Sequence, residues 1–256
     1  MGLILDTPGS HLVTQEQLRE LPPPPSMGSR HRPIPHCELI DAIVEGAESH
    51  GWAVGETQFG VASKGATFFG TMKLRKVTDL EPREWLGKPL QTLTRDTETM
   101  LGVRSSTNET HTPEGIAGQN VTVCSNKLFS GDAFAFKRKS TLHLNLPRMI
   151  AEGMERFEAQ LETLQSGIVR MTETALTDTD AKARIFDLFN LSVLPSRLLQ
   201  PIARYYFHPK PHETDTQPRS LLGLNNACTR SIQTLTPGAA FDAAHRIGHH
   251  FKLGVN

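Results

Sequence analysis

The chain has 256 residues, a mass of 28.3 kDa and a pI near 7.2, enough for one generous domain or two small ones. Its 27 Lys and Arg balance its 27 Asp and Glu, which excludes a histone-like or polybasic-tail mode of binding nucleic acid and leaves room for a local basic patch. No apolar run approaches the roughly 18–20 residues that span a bilayer, and Met1 to His11 carries no basic n-region and no long apolar stretch. The expectation is therefore a cytoplasmic protein without a secretory signal and without membrane contact.

The first 36 residues read as an arm. Thr14 and Gln17 form a capping-box pair for a short helix over His11–Leu21, and Pro22 to Pro25 stop it in extended polyproline II. The arm is expected to be loosely attached. From Cys37 to Ser49, Leu39, Ile40, Ile43, Val44 and Ala47 recur at helical spacing, and Gly51 stands where a left-handed C-cap residue belongs. Trp52–Phe59 and Thr67–Leu74 predict two strands around the turn Ser63-Lys64-Gly65. Residues 78–98 read as a loop or an irregular edge.

Met100–Arg104 predicts a short buried strand. Thr112 and Pro113 have the chemistry of a helix cap and first helical position, so Pro113–Ala117 is expected to open a short helix. Gln119–Ser125 predicts a strand, Asn126–Gly131 a turn, and Ala133–Lys137 a strand with Phe134 and Phe136 on one face. A long helix begins near Leu146. Met154, Phe157, Leu161, Leu164, Ile168, Met171 and Ala175 repeat at alternating spacings of 3 and 4, a heptad-like seam that either packs on its own domain or joins two copies of the chain. Helices follow over Ala181–Leu194, Pro195–Phe207, Arg219–Leu235 and Gly238–Lys252. The sum is an α+β fold: a curved antiparallel sheet over 52–140 flanked by helices, with an extended N-terminal arm and an all-helical C-terminal part. The corresponding domains are an arm over 1–36, an α+β core over 37–176 and a helical part over 177–256. The expected core includes Trp52, Phe69, Leu101, Val103, Val121, Val123, Phe134, Phe157 and Leu161.

Signals for chemistry are sparse. Cys37, Cys124 and Cys228 are odd in number and far apart, so they support neither a disulfide framework nor a Cys-based zinc site. His245 and His249 lie four apart with His250 alongside, a spacing that can bring two imidazoles to one metal, but no Glu stands between them to serve as general base. Phosphate-loop, dinucleotide-loop and nucleophile-elbow motifs are missing, so the sequence leans away from an enzyme and calls for no cofactor. Charge is more informative. Between Asn126 and Arg148, Lys127, Lys137, Arg138, Lys139 and Arg148 face Asp132 alone, a local net charge of +4. Cations next to the phenylalanines of a strand end are the parts needed to track a backbone and stack bases, and equally ordinary edge charges of a sheet.

Gly9–Thr14, Pro33-Ile-Pro-His36-x-Glu-Leu39, Gly65-x-x-x-Phe69-Gly70 and Gly102-Val-Arg104 resemble the phage- and plasmid-like proteins grouped as domain of unknown function 932. So do Val121-x-Val123-Cys124-x-Asn126-x-x-Phe129-Ser-Gly131, Arg138-Lys139-x-Thr141, the Leu146-Pro147 step and Leu224–Thr229. Arg104, Ser106, Val123, Cys124, Asn126, Gly131 and Thr141 carry the central motif. The family pattern places histidines where this chain has Thr107 and Ser140, and a lysine at Glu109. Any activity dependent on those groups is expected to be lost here. The resemblance implies a mobile-element protein, and the sheet-plus-helix layout loosely resembles that of single-strand annealing proteins. The expected function is non-catalytic binding of single-stranded or duplex DNA, with Arg104, Lys127, Lys137, Arg138 and Lys139 on phosphates. The alternatives are a scaffold that assembles as a homo-oligomer through the 150–175 helix, and a divalent-metal enzyme using His245, His249 and His250.

Overall fold

The computed structural model describes residues 10–77, 97–121, 126–129, 135–209 and 219–252, with side chains at all of these except 97, 98, 119–121, 126–129 and 237. The fold is α+β. Strands β1 (Ser10–Val13), β2 (Trp52–Ala62), β3 (Thr67–Lys76), β4 (Thr97–Ser106), β5 (Glu114–Val121) and β6 (Asn126–Phe129) are neighbours in chain order, and β7 (Phe136–Lys137) pairs with β5. The β1–β2, β2–β3, β3–β4 and β5–β7 ladders are antiparallel. The described helices are α1 (Gln15–Arg19), α2 (His36–Ser49), α3 (Leu146–Glu173), α4 (Asp178–Asn190), α5 (Leu199–Phe207), α6 (Leu221–Ser231) and α7 (Pro237–His250). The chain divides into two compact units: a sheet unit of Leu5–Gly118 and Ala133–Ala159, and a helical unit of Met1–Ile4, Gln119–Asp132 and Gln160–Asn256. The division falls inside α3, whereas the sequence places a boundary at residue 176.

In the sheet unit, α2 turns Leu39, Ile40, Ile43 and Ala47 inward, the positions its periodicity marks. Gly51, at φ +75°, ends it as expected. Gly46 lets α3 approach closely, since a Cβ there would stand 2.5 Å from Ile150 Cγ2. The first half of α3 is tied to the hairpin through Trp52, whose ring meets Phe157 edge-on at 5.5 Å while its Nε1 donates to Glu158 at 2.8 Å. Lys76 Nζ donates to the same carboxylate at 2.8 Å, and this bond holds the Glu158 carboxyl below the usual carboxylate range. Trp52, Phe69, Leu101, Val103, Phe157 and Leu161 are buried as predicted, whereas Val123, Phe134 and the Val121 side chain lie outside the described residues.

Three expectations are corrected. The arm is part of the sheet unit rather than loosely attached: β1 pairs with β2 from Ser10↔Ala62 to Val13↔Phe59, and Leu18, His31 and Ile34 are buried. The Thr14–Gln17 capping box does form. Residues from Glu114 onward make strand β5 instead of a helix, because Glu114 and Gly115 pair with Lys137 and Phe136. Residues 126–129, expected as a turn, are strand β6.

In the helical unit, α6 is buried along its whole length except at Arg230, and Asn225, Asn226, Thr229 and Ser231 are buried with it. Thr229 and Ser231 bond back to the carbonyls of Asn226 and Ala227. Thr177 and Asp180 form a reciprocal cap on α4. Met154, Phe157, Leu161, Leu164, Ile168 and Met171 of the α3 seam are all buried within this one chain. No helix among the described residues is long and apolar enough to cross a membrane.

Candidate nucleic-acid interface

The five cations expected on phosphates do not share one surface. Arg104 is 5% exposed and Glu114 1% exposed, and the Arg104 guanidinium is bonded to the Glu114 carboxylate through Nε and Nη2. Lys137 sits across the β5–β7 ladder from Glu114 and closes on the same carboxylate at 2.9 Å. Arg104 is therefore a structural cation and is removed from the interface. Burial of an unpaired guanidinium is prohibitive, and the β5–β7 register brings Glu114 to Lys137 while it pairs with Arg104. Lys127 lies on β6, and its side chain is outside the description.

Arg138 and Lys139 leave β7 into solvent. Arg138, 60% exposed, reaches Glu152 at 3.5 Å. Arg148 (78% exposed) and Arg156 (48% exposed) approach the same carboxylate at 2.8 and 3.5 Å, one helical turn before and after it on α3. The bond from Arg148, with added attraction from Arg138 and Arg156, holds the Glu152 carboxyl below the usual range. Helical spacing puts Glu155 on the same face of α3 as Glu152, so three guanidinium groups stand against two carboxylates there. Such exposed pairs contribute little to stability, so these guanidinium groups can exchange Glu152 for another anion at little loss.

Of the two phenylalanines expected at the strand end, the structure describes Phe136. Phe136 is buried, its ring wedged between Gly115 of β5 and Gly153 of α3. Phe134 lies outside the described residues.

The central motif is a structural junction in the parts described. His31 forms a β-bridge with Thr141, flanked by Arg32 N–H to Ser140 O and Leu142 N–H to Arg30 O. Its Nδ1 accepts from Met27 N–H at 3.1 Å, and its Nε2 lies 3.8 Å from Glu109. Ser106 Oγ donates to His111 O and accepts from His111 N–H. His36 is enclosed by a stacked Phe68, with Nε2 3.0 Å from Gly65 O and Nδ1 3.1 Å from Ser105 Oγ. Because a carbonyl only accepts, Nε2–H donates to Gly65 and Nδ1 accepts from Ser105. Burial pushes the His36 pKa down, partly opposed by that carbonyl. Sequence reasoning missed His31 and Ser105 because their partners lie about seventy or more residues away or across the arm. Val123, Cys124 and Gly131 lie outside the described residues, and Asn126 is placed on β6 without its side chain.

His245, His249 and His250 all lie on α7. His250 meets Phe251 edge-on, and burial pushes its pKa down. Among the described residues no three His, Cys, Asp or Glu side chains are grouped to hold a metal ion. Comparison with protein-family models, curated proteins and solved structures finds no match to this chain.

Proposed function

We propose that this chain is a non-catalytic nucleic-acid-binding protein of a phage- or plasmid-type mobile element, acting in the cytoplasm, and that Arg138, Lys139, Arg148 and Arg156 contact backbone phosphates. One observation carries the proposal: Arg138 after β7 and Arg148 and Arg156 on α3 converge on Glu152 while staying between 48% and 78% exposed. A convergent, solvent-facing guanidinium group can take phosphate oxygens in a forked geometry, and backbone contacts of this kind read charge rather than bases. A scaffold assembling through the 150–175 helix is disfavoured, because six of the seven seam residues, all but Ala175, are already buried.

The test is binding to a 20-nucleotide single strand and to a 20-bp duplex across 0.05–0.2 M salt. Affinity should fall steeply with salt, and replacing Arg138, Arg148 and Arg156 together with Ala should lower the logarithmic salt slope by about 2–3. Binding that ignores salt, or a triple variant with an unchanged slope, would sink the proposal.

A further inference from the structure

We infer that the helical unit holds a separate site for a phosphoryl group, in the groove between α4 and α5. The groove has a volume of about 630 Å³ and is lined by Asp178, Lys182, Arg204, Phe207, His208 and Arg219. That size suits a nucleotide or a short stretch of nucleic-acid backbone. Among the described lining residues three permanent cations stand against one carboxylate, a net positive charge.

Its cations are held in place by rings. The Arg219 guanidinium lies 5.1 Å from the Phe207 centroid and 5.6 Å from that of Tyr206, and Lys182 Nζ lies 5.9 Å from Phe207. Arg204 stands 5.2 Å from the Tyr205 ring, which also carries Arg230 at 4.3 Å. A guanidinium resting on an aromatic face keeps its in-plane N–H donors directed away from the ring, and its freedom is already reduced before a ligand arrives. Forked donors fixed in this way match phosphate oxygens. The faces of Phe207 and Tyr205 are occupied by cations, so the rings support the anion binders instead of stacking a base.

Asp178 is the built-in competitor. Its carboxylate, exposed at the start of α4, bonds Arg219 Nη1 at 2.6 Å, and Lys182 follows it by one helical turn. A phosphoryl group entering the groove would take Arg219 from Asp178 and share Lys182 and Arg204. Removal of this acid should therefore strengthen binding. Thr177 and Asp180 would still cap α4.

The experiment uses the full chain with Arg138, Lys139, Arg148 and Arg156 replaced by Ala, so that the sheet-unit surface cannot report. Inorganic phosphate, thymidine monophosphate and a 15-nucleotide oligothymidylate are titrated by calorimetry. Asp178→Asn should tighten binding several-fold and Arg219→Gln should weaken it about tenfold, a charge-assisted hydrogen bond being lost. Saturable binding of the monophosphate identifies a free phosphorylated ligand, and binding of the oligonucleotide alone identifies nucleic-acid backbone. Both support the site. A gain of affinity in Asp178→Asn cannot come from misfolding. If no probe binds, or if Asp178→Asn and Arg219→Gln leave binding unchanged, the site does not exist.

Discussion

Replacing Glu114 with Gln separates a structural cation from a binding one. The substitution keeps the shape of the side chain and one acceptor oxygen but removes the charge that Arg104 and Lys137 share. Lys137 is half exposed and recovers water. Arg104 is enclosed and does not, so its charge stays buried after losing the Glu114 carboxylate. Breaking a buried pair from one side typically costs about 3–5 kcal/mol. For a chain of this size each kcal/mol moves Tm by roughly 2–4 °C, so a drop of about 6–20 °C is expected. Thermal and urea unfolding followed by far-UV circular dichroism measures it. The apolar double variant Arg104→Met with Glu114→Leu should recover at least half of the loss, since removing both charges removes the uncompensated one. A Glu114→Gln chain within about 1 kcal/mol of the parent would refute the buried-pair account. Arg104→Met lowering the salt slope of DNA binding would return Arg104 to the interface.

Gly115→Ala should destabilise by about 1–3 kcal/mol in urea unfolding, because a Cβ there falls inside the contact distance of the enclosed Phe136 ring; an unchanged midpoint would mean the ring has room to move. His36→Gln should reduce the acid sensitivity of the fold. Burial lowers the His36 pKa in the folded chain, so the unfolded chain binds the extra proton: the stability contributed by neutral His36 is full above about pH 6.5 and is lost as pH falls through the lowered value. Unfolding free energies from pH 7.5 to 5 should diverge by at most about 1.4 kcal/mol per pH unit, and parallel curves for the two chains would contradict this.

What local sequence could specify, it specified well. Helix α2, its glycine stop, the β2–β3 hairpin, the capping box of α1 and the seam of α3 all depend on residues within a few positions of one another. Thr112-Pro113 shows where such reasoning ends. The pair has the chemistry of a helix start, yet the next residue is Glu114, whose partners lie ten residues before it and twenty-three after it. The same holds for the arm: Pro-rich and polar by composition, it is fixed through β-pairing with residues 59–62 and through the buried His31 and Ile34. At the site, Lys137, Arg138 and Lys139 were legible as a basic run. The meeting of Arg138, Arg148 and Arg156 on the one Glu152 carboxylate was not, because it needs α3 laid beside the strand end. The cation–ring cluster of α4 and α5 was equally invisible, since its members are spread from Lys182 to Arg230.

Strand β1 has a further consequence. It is four residues long and forms the outer rim of the sheet, covering β2 only from Phe59 to Ala62. The uncovered stretch of β2 carries a register shift between Val54 and Thr57, and Glu56 there is paired with Lys73 at 2.7 Å. A bulge and a charge discourage strand addition, whereas a straight, apolar rim invites it. The rim from Phe59 to Ala62 has neither device and relies on β1 alone. A chain shortened to begin at Thr14 would keep its helices and its basic surface, but it would offer a bare template of main-chain donors and acceptors to any neighbouring strand. Self-association would then set in at concentrations where the intact chain stays apart.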